Sequence, residues 1–258
     1  MIAPQQQIHL DRYEFRKWEP LDSETIVESP VSLTVNGKPW LTFMCTPTEL
    51  EALAIGFLYN EGVITEMGEV ADVRLCEHGD NVDVWLNRSI PQPRSWRRTS
   101  GCTGGVTAVD ALAIPDVHFD PVLPNFAPEV IGELVDLLFE SQELYRETGG
   151  VHTSMLSDGE TVVLSAEDIG RHNTLDKIAG LCLMRAIWPE TRVLLTTGRI
   201  SSEMLQKAAR LRAPILISRT SPSSLSIEMA RRYGITLIGY ARRQRFNVYS
   251  NPQRVGRQ

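Results

Sequence analysis

Val193-Leu194-Leu195-Thr196-Thr197, Ile215-Leu216-Ile217-Ser218 and Ile235-Thr236-Leu237-Ile238-Gly239 are three short apolar runs. Amphipathic stretches lie between them, at Ser202 to Leu211 and Pro222 to Tyr233. Runs of this length are too short for buried helices and suit strands covered on both faces. Strands alternating with helical segments predict an α/β unit with a largely parallel sheet. The pattern extends backwards to a strand at Thr161 to Ser165 and a helix at Asn173 to Ile187. Helix starts are marked by Asn173, by Ser201, and by Ser221 with Pro222 at the first helical position.

Upstream, the pattern changes. Val31 to Val35 alternates, Asn36-Gly37 follows, and Pro39 to Met44 runs apolar, which reads as a β-hairpin. A helix is expected from Pro47 to Tyr59, capped by Thr46 or Thr48 and stopped by Gly62. Val70 to Leu75 and Val82 to Leu86 form a second strand pair. Pro115, Pro121 and Pro124 mark a linker within residues 111–125, and Pro128 opens a further helix. The expected division is an N-terminal α+β domain over residues 1–120 and a C-terminal α/β domain over residues 121–258.

Composition sets limits. The chain has 258 residues, 42% of them hydrophobic and 22% charged, as in ordinary globular proteins. A net charge of −6 argues against general nucleic-acid binding. No apolar run approaches the roughly 20 residues that span a bilayer. The opening Met1-Ile2-Ala3-Pro4 lacks a basic segment followed by an apolar one, so a cytoplasmic location is expected. Cys45, Cys76, Cys102 and Cys182 are widely spaced, which predicts neither a disulfide framework nor a metal site.

Ligands of open α/β sheets bind beyond the carboxyl ends of the strands. The four loops expected there are Glu167 to Asn173, Thr197 to Ser202, Arg219 to Ser224 and Tyr240 to Asn247. Each carries arginine, and three lead into helix N-termini, where free N–H groups favour anions. Arg171, Arg199, Arg242, Arg243 and Arg245 therefore outline a site for a ligand with several phosphates. Ser221 adds a hydroxyl, although capping a helix is the ordinary work of such a serine. His152 and His172 are candidate contacts, and either could equally be structural. Asp176 and Lys177 read as a solvated helix start. Cys102 differs from the other thiols. It sits in Ser100-Gly101-Cys102-Thr103-Gly104-Gly105, just after Arg94, Arg97 and Arg98. Positive neighbours favour the thiolate, the nucleophilic form.

The order of these pieces resembles the FdhD family of formate dehydrogenase accessory proteins. Asp168-Ile169-Gly170-Arg171-His172-Asn173 with Asp176-Lys177 resembles the family's D-V-G-R-H-N-A-x-D-K. Thr148-Gly149-Gly150-Val151-His152 resembles its T-G-G-x-H, and Arg245 to Tyr249 its closing R-F-N-V-Y. Gly56 to Gly62 and Ser221 to Leu225 fit as well. The resemblance implies a C-terminal domain similar to cytidine deaminases and a homodimer. It implies a sulfur carrier that takes persulfide sulfur from a cysteine desulfurase on Cys102. That sulfur would pass to the bis-molybdopterin guanine dinucleotide cofactor before its insertion into formate dehydrogenase. The cofactor-binding segment maps to Tyr240, Ala241, Arg242, Arg243, Gln244 and Arg245. Many members carry C-x-x-C, whereas here Gly105 stands at the second cysteine position. A chaperone that holds the cofactor without moving sulfur is the alternative. Zinc deaminase chemistry is not expected, because neither H-x-E nor P-C-x-x-C occurs.

Overall fold

The computed structural model describes residues 2–91, 97–98, 106–107, 117–119 and 124–256. The chain opens with β1 (Gln5–Glu14) and β2 (Lys17–Ile26), an antiparallel ribbon. Next come β3 (Ser29–Val35), β4 (Lys38–Cys45), α1 (Leu50–Asn60), β5 (Val70–Leu75) and β6 (Asn81–Leu86). These four strands form one sheet in the order β4-β3-β6-β5. The expected hairpin is present, with Asn36 and Gly37 at positive φ, as a tight turn requires. Helix α1 covers one face, burying Leu53, Ile55, Phe57 and Leu58 against Val31, Leu33, Val82 and Val84. Two short strands, β7 (Arg97–Arg98) and β8 (Val106–Thr107), pair antiparallel.

The second half comprises α2 (Pro128–Glu140), α3 (Leu144–Thr148), β9 (His152–Ser157), β10 (Val162–Asp168), α4 (Arg171–Arg185), β11 (Val193–Thr196), α5 (Ser202–Arg210), β12 (Ile215–Ser218), α6 (Ser224–Tyr233), β13 (Thr236–Arg242) and β14 (Arg245–Ser250). Six strands run in the order β10-β9-β11-β12-β13-β14. Leu156, Leu194, Leu216 and Leu237 point into a core with α4, α5 and α6. Met155, Val193, Leu195, Ile215, Ile217 and Ile238 point the other way, onto α2. Burial on both faces is what makes these runs continuously apolar.

Only β11, β12 and β13 run parallel, so the sheet is mixed rather than largely parallel. Strands β9, β10 and β14 join it antiparallel. Strand β9 has no sequence signature because its buried positions include Thr153, Ser154 and Ser157. Their hydroxyls are satisfied inside: Ser154 Oγ lies 2.6 Å from Thr174 Oγ1 and donates to Thr196 Oγ1 at 3.1 Å. The loop expected over Tyr240 to Asn247 is instead the end of β13, a tight turn and the start of β14.

Two expected caps are replaced. Ser223, not Ser221, caps α6, accepting from Ser226 N–H at 3.2 Å. Residues 221–222 are held extended instead, bridged to Ile200 by Ile200 N–H to Ser221 O at 3.2 Å and Ser223 N–H to Ile200 O at 2.9 Å. Neither Thr46 nor Thr48 caps α1, because both hydroxyls bond the second half of the chain. Ser201 does cap α5.

The halves meet where α1 crosses α4. A Cβ on Gly56 would lie 1.7 Å from Asp176 O, and one on Gly180 1.9 Å from Ala52 O. Only glycine allows the two backbones this close.

Candidate functional site at the carboxyl edge of the sheet

His152 begins β9, opposite Asp168 at the end of β10. Thr196 and Ser218 end β11 and β12 beside them. The loops leaving these strands therefore converge on one edge, and short hydrogen bonds fix them. Thr196 Oγ1 accepts from Gly198 N–H at 3.1 Å, and Ser218 Oγ donates to Gly198 O at 2.6 Å. A Cβ on Gly198 would lie 2.8 Å from Arg171 Cβ. Glycine there lets the β11–α5 turn close over the first residue of α4.

His152 Nδ1 is 3.2 Å from Thr197 Oγ1, which also accepts from Thr153 N–H at 3.1 Å. Burial lowers the His152 pKa, helped by Arg171 and Arg199 and opposed by Asp168. His172 is 7% exposed, and neither ring nitrogen has a hydrogen-bond partner among the described residues. Burial, then Lys207, Arg171 and His152, hold its pKa well below the ordinary value, so the ring is neutral near pH 7. Leaving a buried polar atom unpaired costs about 1–3 kcal/mol. A buried neutral imidazole among cations, with both nitrogens unspent, suits an anionic ligand carrying hydrogen-bonding groups.

The remaining expected contacts differ in character. Arg199, Arg243, Gln244 and Arg245 are exposed. Arg243 Nη1 is 3.2 Å from Asp136 Oδ2. Arg242 turns partly inward, Nη1 donating to Arg219 O and Ala241 O, both at 2.8 Å. Ala241 is fully buried and contributes backbone only. Tyr240 is 49% exposed at φ +52, with its N–H on Thr220 O at 3.0 Å. Ser221 is half-buried at the Ile200 bridge. Cys102 lies outside the described residues.

Sequence reasoning passed over two cations. Arg219 lies with its guanidinium carbon 4.1 Å from the Phe139 ring centroid. Its buried Nε has no hydrogen-bond partner among the described residues. Burial lowers its pKa, and Arg242 adds to this. Lys207 reaches the same region from α5. An arginine in a loop and a lysine inside an amphipathic helix carry no pattern that distinguishes them.

Asp176 and Lys177 do not form a solvated helix start. Both are buried, Lys177 completely. Lys177 Nζ pairs with Asp168 Oδ2 at 2.8 Å and donates to Thr46 O, Thr48 Oγ1 and Glu167 O at 3.1, 2.9 and 3.0 Å. Asp168 also accepts from Thr46 N–H at 3.1 Å, Gly170 N–H at 2.7 Å and Asn173 Nδ2 at 2.9 Å. Asn173 Nδ2 reaches Met44 O at 3.0 Å, so it joins the halves instead of capping α4, which starts two residues earlier. Asp176 takes Lys207 Nζ at 2.6 Å on Oδ1 and Asn60 Nδ2 at 2.7 Å. Burial raises its pKa, opposed by Lys207. The segment Asp168 to Lys177 is thus a latch between the halves, and it fixes Arg171 and His172 at the site.

Among the described residues, no group of three His, Cys, Asp or Glu side chains is placed to hold a metal ion. Likewise no described helix is long and apolar enough to cross a membrane.

Residues 26–256 match the model of the FdhD/NarQ family. The chain is similar to the sulfur carrier protein FdhD of Staphylococcus aureus strain MRSA252, 34% identical over 250 residues. That alignment covers 95% of this chain and 94% of the relative. The counterpart from strain Newman gives the same figures. A crystal structure from Desulfotalea psychrophila, assigned as a formate dehydrogenase accessory protein, superposes with a TM-score of 0.77 at 26% identity. It covers 98% of this chain and 100% of its own.

Proposed function

We propose, from the premise that this chain belongs to the FdhD/NarQ family, that it carries sulfur for the maturation of formate dehydrogenase. Cys102 thiolate attacks the outer sulfur of a persulfide on a cysteine desulfurase. The donor's S–S bond breaks, the donor leaves as a thiolate, and Cys102 keeps the sulfur as its own persulfide. That sulfur then goes to bis-molybdopterin guanine dinucleotide, held as client at the sheet edge before it enters formate dehydrogenase. The chain works in the cytoplasm as a homodimer. Its C-terminal half, of cytidine-deaminase type, uses its sheet edge for binding and not for zinc chemistry.

The observation that carries this reading is the convergence at that edge. His152, Arg171, His172 and Arg199 come from separate elements, with Arg219, Arg242, Arg243 and Arg245 along the neighbouring strands. Exposed arginines suit phosphates, and buried His172 suits a group that must shed water to reach it. The exposed Tyr240 ring and the Arg219–Phe139 stack offer flat surfaces to a planar base.

One observation favours a second reading. Gly105 removes the partner thiol of C-x-x-C, so release through a disulfide within that loop is closed to this chain. A cofactor chaperone that moves no sulfur would need neither thiol. Intact mass spectrometry after incubation with an active cysteine desulfurase and cysteine separates the two. A gain of sulfur mass, reversed by reductant and absent from Cys102→Ala, supports the carrier. No gain in the unaltered chain selects the chaperone.

A further inference from the structure

The β1–β2 ribbon has no sheet to belong to. Its strands pair over ten residue pairs, from Gln5↔Ile26 to Glu14↔Lys17, yet they form a two-stranded sheet of their own. Only the base is supported, where Ile26 packs at Gly150 and β2 lies along α3. Every residue from Asp11 to Pro20 is exposed. Tyr13, Phe15 and Trp18 are 58%, 90% and 70% exposed, with Tyr13 and Trp18 in ring contact. A two-stranded hairpin is at best marginally stable in water, and an uncovered edge is an open template for another strand.

The two edges are not equivalent. Phe15 and Arg16, both at positive φ, form the two-residue turn, so Glu14↔Lys17 is the hydrogen-bonded closing pair. Alternation then makes Tyr13↔Trp18, Asp11↔Pro20 and His9↔Asp22 non-hydrogen-bonded pairs. Pro20, which has no N–H, falls where none is needed inside the ribbon, and it removes a donor from the outer edge of β2. The outer edge of β1 keeps the N–H and C=O groups of Gln7, His9, Asp11 and Tyr13.

We infer that this edge of β1 pairs antiparallel with β1 of a second copy of the chain, about a two-fold axis through Leu10. Two identical strands pair antiparallel about an axis normal to the sheet, which sets each residue against one of like parity. Centring on Leu10 places His9 opposite Asp11 twice, Gln7 opposite Tyr13, Ile8 opposite Arg12, and Leu10 against itself. Centring on Asp11 or Arg12 would set like charges face to face, and centring on His9 would lose both imidazole–carboxylate pairs. The Leu10 register alone places opposite charges together and leaves no like pair directly opposed. In it His9, already 2.9 Å from Asp22, gains a second carboxylate. The pairing does not depend on what the chain carries.

The test uses the full chain with Cys76 and Cys102 replaced by serine. Leu10→Cys sets two thiols in a symmetric non-hydrogen-bonded pair, about 4.5 Å between Cα atoms, within reach of a disulfide. Mild oxidation should convert most of this variant to a covalent dimer. Arg12→Cys, two residues along on the same face, should cross-link far more slowly. In the otherwise unaltered chain, Asp11→Lys should weaken the dimer on the order of tenfold in sedimentation velocity, because it breaks two symmetric pairs. His9→Glu with Asp11→Lys should restore it. These side chains are exposed, so circular dichroism should show an unchanged fold. A monomer at high micromolar concentration overturns the inference. So do equal cross-linking at both cysteine positions, a dimer indifferent to Asp11→Lys, and association that appears only when a different protein is added.

Discussion

The start of α4 and the turn between β13 and β14 carry similar residues and do different work. Both are rich in charge, and both lie at the carboxyl edge of the sheet. At α4, Asp168, Asn173, Asp176 and Lys177 are buried, each bonded across the α1–α4 junction or to its neighbours. At the turn, Arg243, Gln244 and Arg245 stand in solvent, with a single ion pair to Asp136. A charged motif can therefore be a joint or a binding rim, and burial decides which. At a joint, removing one member strands its partner inside the protein. At a rim, water replaces whatever is removed.

The largest expected effect tests the joint. Lys177→Met should destabilise the fold by about 3 to 5 kcal/mol, because it leaves the Asp168 carboxylate buried without its cation. Chemical denaturation measures this. A loss below about 1 kcal/mol would put Asp168 in contact with water and end the distinction drawn here. Next comes Gly56→Ala, whose methyl group would overlap Asp176 O. A loss of about 1–3 kcal/mol is expected from overpacking, with the halves forced apart.

His172 sits between the two classes, buried like the joint yet unbonded. Its pKa and that of His152 lie below 6.5 in the folded chain, so the unfolded chain binds more protons over that window. Stability should therefore be full above about pH 6.5 and fall as pH drops below it. His172→Leu should make that fall shallower and leave stability near pH 7 unchanged or higher by roughly 1 kcal/mol, since no unpaired nitrogen remains buried. Binding of guanosine diphosphate, measured by calorimetry, should weaken in the same variant. Stability that drops while nucleotide binding persists would make His172 part of the joint. The smallest stability effect belongs to the rim: Arg243→Ala should cost less than about 1 kcal/mol, yet lower affinity for the same nucleotide. Unchanged affinity would remove Arg243 from the site.

Much of the fold was legible in order. The apolar runs of β11, β12 and β13 could be read because burial on both faces leaves only one kind of residue. Strand β9 was not legible, since its serines and threonine are satisfied by partners far away in sequence. The caps show the same division. Ser201 acts locally and was readable, whereas Thr46, Thr48 and Asn173 bond across the halves.

The site divides in the same way. Loop position and residue type brought His152, Arg171, His172 and Arg199 to one edge, because strand order follows from local pattern and chain connectivity. The sequence likewise singles out Cys102, through its glycines and the arginines before it. Tertiary structure alone decided that Asp176 and Lys177 face inward, that Arg242 spends part of its guanidinium on carbonyls, and that Arg219 and Lys207 belong near the site. The physical reason is that a charge's role depends on which partners and how much water surround it. Those surroundings are set by contacts between residues more than a hundred positions apart, such as Thr46 with Asp168 and Asn60 with Asp176.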